Sequence, residues 1–127
     1  VVALLLWVKS AGRPELYGWV LSVTLVLSLF FGPHVHIHDC LLLGAAAILT
    51  IPSVSPSAVM PLKDGAYKVW CMTMLLYPLV SFVSFNLSIF GTAIRTYPIL
   101  AQNVILTVAG LMYIMRQWKQ PRAEEIA

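Results

Sequence analysis

The sequence predicts an all-α fold, a polytopic transmembrane helix bundle of about four spans preceded by a truncated helix. Three observations carry this. The 127 residues are 60% hydrophobic and only 10% charged, with a mean hydropathy of +0.87, which belongs to a bilayer-embedded chain and not to an ordinary soluble domain. The apolar residues fall into runs near the length of a bilayer crossing, separated by short connectors that hold most of the charges, glycines and prolines. The basic residues behind the net charge of +3 are scattered between those runs. Scattered cations orient helices in a membrane; a nucleic-acid surface needs them gathered into a stripe, so no nucleic-acid partner is expected.

Residues 1–8 are apolar but too short to cross a bilayer core, which takes about 20 residues. They lack the basic start and small-residue cleavage site of a signal peptide. They read as a helix entered midway, and the chain as the C-terminal part of a larger membrane protein. A polar connector with Gly12 and Pro14 follows. Residues 16–31 form the next crossing, with Tyr17 and Trp19 at its interface, stopped by Gly32 and Pro33.

Asp39 is placed to cap a helix over residues 40–51, since a carboxylate accepts from the free N–H groups of a first turn. This span is short, so the helix is either tilted and half-buried or runs on through Pro52 towards Met60 with a kink. Residues 52–68 read as a loop rich in Pro, Ser and Gly that carries Lys63, Asp64 and Lys68. Residues 69–90 are the clearest span, with Pro78 inside it and Asn86 as a polar group expected to bond across helices. A short loop over residues 91–97 bears Arg95, and Pro98 suits the first position of a last helix ending near Met115. The chain thus divides into a helical membrane region, 1–115, and a solvated tail, 116–127.

Alternating the connectors across a bilayer puts Lys9, Arg13, Lys63, Lys68, Arg116, Lys119 and Arg122 on one side and Arg95 alone on the other. Positive residues are retained in the cytoplasm. The expected arrangement is a multi-pass protein of the plasma membrane with a cytoplasmic C-terminus. The segment with His34, His36, His38 and Asp39 then faces outward together with Arg95. Cys40 and Cys71 fall at opposite depths, where a disulfide is out of reach, and read as small packing residues.

The histidine segment is the main chemical signal. All three histidines and Asp39 lie within six positions between two apolar runs. A polar cluster in such surroundings is costly unless it meets water, a partner or a ligand. In an extended loop His34, His36 and His38 project to one side, offering imidazoles to a phosphate, a sugar hydroxyl or a divalent metal. Arg95 adds a planar cation suited to phosphate. The interfacial aromatic residues Trp19, Tyr67, Trp70, Tyr97 and Trp118 read as membrane anchors. No phosphate-binding loop, dinucleotide fingerprint, nucleophile elbow or paired-cysteine zinc pattern is present.

The run Pro33-His34-Val35-His36-Ile37-His38-Asp39, leading into Leu41-Leu42-Leu43, resembles a late segment of glycosyltransferase family 87. These are mannosyltransferase-like membrane enzymes of the GT-C type that use a polyprenyl-phosphate sugar. Trp70 and the stretch Leu75-Leu76-Tyr77-Pro78-Leu79-Val80-Ser81 are similar to the family's next helix, and Met115-Arg116 to its C-terminal end. Cys40 stands where the family pattern calls for an apolar residue.

The resemblance implies transfer of a hexose, mannose foremost, from a polyprenyl-phosphate-linked donor to a glycan or lipid acceptor on the outer membrane face. It implies substrate-binding roles for His34, His36, His38, Asp39 and Arg95. The catalytic base of such enzymes lies in an early outward loop and has no counterpart among these 127 residues. The alternative is a metal-binding or transport protein holding a divalent ion on the His34/His36/His38/Asp39 cluster. A transport path requires ionisable groups at depth, and the spans carry no charge near their midpoints.

Overall fold

The computed structural model describes residues 1–29, 37–50 and 63–120, and all of these that are regular are helical, with no strand among them. Five α-helices follow in order: α1 (Val2–Lys9), α2 (Tyr17–Leu29), α3 (Ile37–Thr50), α4 (Gly65–Asn86) and α5 (Thr92–Trp118). A 3-10 turn over Pro14–Leu16 leads into α2, and another over Leu87–Phe90 joins α4 to α5. Gly91 closes that junction at φ 145°, backbone that a side chain rarely permits.

Two helical pairs make the body. In the first, α2 runs antiparallel to α3, and small residues set the separation. A Cβ added to Gly18 would lie 2.5 Å from the Leu49 carbonyl oxygen, so only glycine lets the two backbones approach this closely. One turn further on, the Ser22 hydroxyl shares its proton between the Gly18 carbonyl of its own helix (2.7 Å) and the Ala46 carbonyl of α3 (2.9 Å). Ser22 is fully buried, and these bonds offset its desolvation. In the second pair, α4 and α5 form a long antiparallel hairpin. It is the most extensive packing in the molecule, and α2 docks onto α5 to join the pairs.

The α2–α5 contact again turns on a glycine. A Cβ on Gly110 would meet the Val23 side chain at 2.5 Å and the Trp70 ring at 2.8 Å. Around this point Trp19 stacks on Tyr113 with ring centroids 4.1 Å apart, and meets Trp70 at 5.2 Å and Tyr67 at 5.8 Å. The Trp70 indole N–H donates to the Thr50 hydroxyl at 3.1 Å, which draws the end of α3 onto α4. Trp19, Tyr67 and Trp70 are therefore buried core residues, correcting their reading as interfacial anchors; each ring finds more contact among the others than at a bundle surface.

Two helical segments, Gly65–Phe90 and Thr96–Trp118, are long and apolar enough to cross a membrane, while the helical segments Pro14–Leu29 and Leu41–Thr50 are apolar but shorter. Only 11% of the apolar window of the first long segment is buried within the chain. Its Met72, Leu75, Leu79 and Phe82 are exposed, unlike the core helix of a soluble protein.

Several boundaries differ from the sequence reading. The helix expected from residue 69 starts at Gly65 because Asp64 caps it: its carboxylate accepts from the Ala66 amide at 2.7 Å. Lys68 is accordingly helical and not in a loop. Pro98, expected at the first position of the last helix, lies inside α5, which begins at Thr92. Proline inside a helix removes one backbone bond, and packing of the rest of the helix against its neighbours holds the helix through it. The last helix also continues past Met115 to Trp118, so the expected tail begins as helix; residues 121–127 of that tail lie outside the described residues.

Candidate functional site

Helix register decides which ends of the bundle the candidate residues occupy. Across the α3–α4 contact, Thr50 pairs with Trp70, and a cleft of about 150 Å³ is lined by Leu43, Gly44 and Ala47 from α3 and Met74, Tyr77 and Pro78 from α4. Continuing this antiparallel register at about 1.5 Å per residue sets the backbone of His38 and Asp39 level with residues 81–83 of α4, about one turn short of its end at Asn86. The adjoining 3-10 turn leads directly into the first turn of α5, which holds Arg95. The backbone positions of His38, Asp39 and Arg95 thus share one end of the bundle. His34 and His36 lie outside the described residues.

The local settings of three of these residues are corrected. His38, expected in an extended segment beside His34 and His36, is the second residue of α3, and a helical backbone does not keep the period-two alternation that would align its side chain with theirs. Asp39 is the third residue of α3 and not the residue before it, which leaves it in the positively polarised first turn that favours a carboxylate. Arg95 is helical and not in a loop. Within the same helix Thr96 donates its hydroxyl to the Thr92 carbonyl at 3.0 Å. At the same end, Asn86 is exposed and donates to the Phe82 carbonyl of its own helix at 2.7 Å, in place of the expected bond across helices. Tyr97 is exposed as well.

The opposite end is basic and bonded together. The Arg13 guanidinium donates to the carbonyls of Gln117 (2.6 Å) and Gln120 (3.1 Å), capping α5. Lys9 sits over the Trp118 ring, 4.4 Å from its centroid, and the Trp118 indole donates to the Ser10 hydroxyl at 3.3 Å. Arg116 donates to Asp64 at 2.6 Å. Lys9, Arg13, Lys63, Lys68, Arg116 and Lys119 gather here, about 30 Å along α5 from Arg95. Removal of the Asp64 side chain from water raises its pKa. Arg116 and the Ala66 and Tyr67 amides more than offset this, and hold the group below its ordinary value.

Between the two ends the structure reveals polar groups that the sequence reading passed over. Gln102 and Asn103 are buried in α5, and the oxygens Gln102 Oε1 and Asn103 Oδ1 have no hydrogen-bond partner, nor has Ser81 Oγ on α4. The available signal was their place in the stripe Ile99, Gln102, Asn103, Leu106, Ala109 and Gly110, whose three- and four-residue spacing marks a packed helix face.

Among the described residues no group of three or more His, Cys, Asp or Glu side chains is arranged to hold a metal ion. Cys71 is exposed and free. No protein-family model matches the chain, and no curated protein or solved structure is detectably similar to it.

Proposed function

We propose that the chain is part of a membrane-embedded glycosyltransferase that moves a hexose, mannose foremost, from a polyprenyl-phosphate-linked donor to a glycan or lipid acceptor on the outer membrane face. The observation that supports it is the shared end of His38, Asp39 and Arg95, opposite the clustered cations. Positive-inside bias makes the basic end cytoplasmic, so the polar end meets the headgroups of the outer leaflet. All four apolar helices after α1 serve as crossings in this reading.

In this reaction an acceptor hydroxyl oxygen forms a bond to the anomeric carbon while the bond from that carbon to the carrier phosphate breaks. The phosphate leaves with the electron pair, and the hydroxyl proton passes to a base contributed from outside these residues. Arg95 and the histidines His34, His36 and His38 provide donors for the phosphate charge as it develops, and Asp39 accepts from a sugar hydroxyl. Such placed donors act most strongly where the leaving group gains charge.

The test is sugar transfer from polyprenyl-phosphate mannose in membranes that carry the intact protein. His36→Ala with His38→Ala, and separately Arg95→Gln, are expected to lower turnover by about a hundredfold, the usual effect of removing a charge-stabilising donor. Unchanged turnover in both overturns the assignment.

A further inference from the structure

We propose that the cytoplasmic end of α5 carries a binding site for an anionic phospholipid. This rests on the membrane-embedded reading above and extends it to the opposite end of the bundle. Helix α5 has two distinct faces. Ile99, Leu106, Ala109 and Ile114 are buried against α2 and α4, whereas Val104, Val108, Met112 and Met115 form an exposed apolar stripe on the other side. Their spacing of four, four and three residues keeps them on one helix face, and the next position in the series is Lys119.

The stripe therefore ends in a cation. Where it ends, Met112, Met115, Arg116 and Lys119 line a groove of about 170 Å³. Methionine side chains adapt to an irregular, mobile chain, and an acyl chain laid along Val108 and Met112 brings its phosphate to Lys119. The surroundings favour a negative headgroup. Among the described residues, six Lys and Arg side chains gather at this end against two carboxylates, Glu15 and Asp64, and Asp64 is already engaged by Arg116. Each Lys or Arg near a membrane surface adds about 1 kcal/mol of attraction to anionic lipid, about fivefold in affinity.

The experiment uses the full chain reconstituted in phosphatidylcholine bilayers with a trace of spin-labelled lipid, read as the fraction held at the protein surface. Labelled phosphatidylglycerol is expected to be favoured about fivefold over labelled phosphatidylcholine. The preference should fall to about twofold or less in Lys119→Gln and remain in Lys68→Gln, whose charge lies on α4. Lys119 is exposed, and circular dichroism of the variant should match the parent. Equal association of the two lipids, or an equal loss in both variants, overturns the site while leaving the membrane reading intact. Absence of any surface-held lipid overturns both.

Discussion

The Arg116 guanidinium donates to the Asp64 carboxylate at 2.6 Å, tying the last turn of α5 to the first residue ahead of α4 across 52 positions of sequence. The same carboxylate oxygen accepts from the Ala66 amide, so one side chain both starts a helix and fastens it to its neighbour. An ion pair this open to water contributes little by itself, while the cap is worth about 1 kcal/mol. Asp64→Asn, which keeps a capping oxygen, should cost well under about 1 kcal/mol. Asp64→Ala should cost about 1–2 kcal/mol. Equal losses in chemical unfolding of the two variants would refute this division.

The pH dependence follows from the same contact. The Asp64 pKa is lower in the folded chain than its ordinary value of 3.8, so the folded state favours the ionised form. Its contribution is complete above pH about 4 and is lost as pH falls through the lower folded value. The gap in thermal midpoint between the parent chain and Asp64→Asn should narrow between pH 6 and pH 3. A gap that widens on acidification contradicts the assigned sign.

Gly18 and Gly44 lie on the facing helices α2 and α3 but answer differently to an added methyl group. At Gly18 it would strike the Leu49 backbone, which cannot move aside as a side chain would; at Gly44 it meets nothing within 4 Å. Replacing helical glycine by alanine gains up to about 1 kcal/mol where there is room. Gly44→Ala should raise the thermal midpoint in detergent and Gly18→Ala lower it by separating the helices. The reverse order would show that α2 and α3 do not meet at Gly18.

Helix existence and order were legible in the sequence because long apolar runs broken by Gly, Pro and charge admit few other structures. The grouping of Lys9, Arg13, Lys63, Lys68, Arg116 and Lys119 at one end was legible too, since alternation of antiparallel helices fixes it. The roles of Trp19, Trp70 and Tyr67 were not. An aromatic residue near the end of a run looks the same whether it faces headgroups or a neighbouring helix, and only the crossing of α2, α4 and α5 distinguishes them. Pro98 misled for a related reason: a proline signals a helix start, yet the Thr92–Tyr97 turn ahead of it is helical as well. Of the candidate site, the segment with His34 and His36 lies outside the described residues, so its reading still rests on residue type and spacing.

The stack of Trp19 on Tyr113 makes a quantitative demand. Trp19 is 7% exposed and touches rings from α4 and α5, so truncation to alanine leaves a cavity that three aromatic neighbours cannot fill. The expected cost is about 3–5 kcal/mol, against less for Trp19→Phe, which keeps an aromatic face. Unfolding of both variants in mixed micelles measures this. A loss below about 1 kcal/mol for Trp19→Ala would mean that the junction of the two helical pairs lies elsewhere.

Gln102 offers the opposite expectation. Its Oε1 is buried without a hydrogen-bond partner, a state that costs about 1–3 kcal/mol relative to a satisfied group. Methionine has nearly the same length and shape and no oxygen to leave stranded. Gln102→Met should therefore be neutral or stabilise the fold by up to about 1 kcal/mol, since a core accepts volume-conserving exchanges. The same change at an exposed position would do little, so the gain is specific to burial. A clear loss of thermal stability would instead establish that the amide has a partner in the working protein, and would make the middle of α5 a second place to look for bound water or substrate.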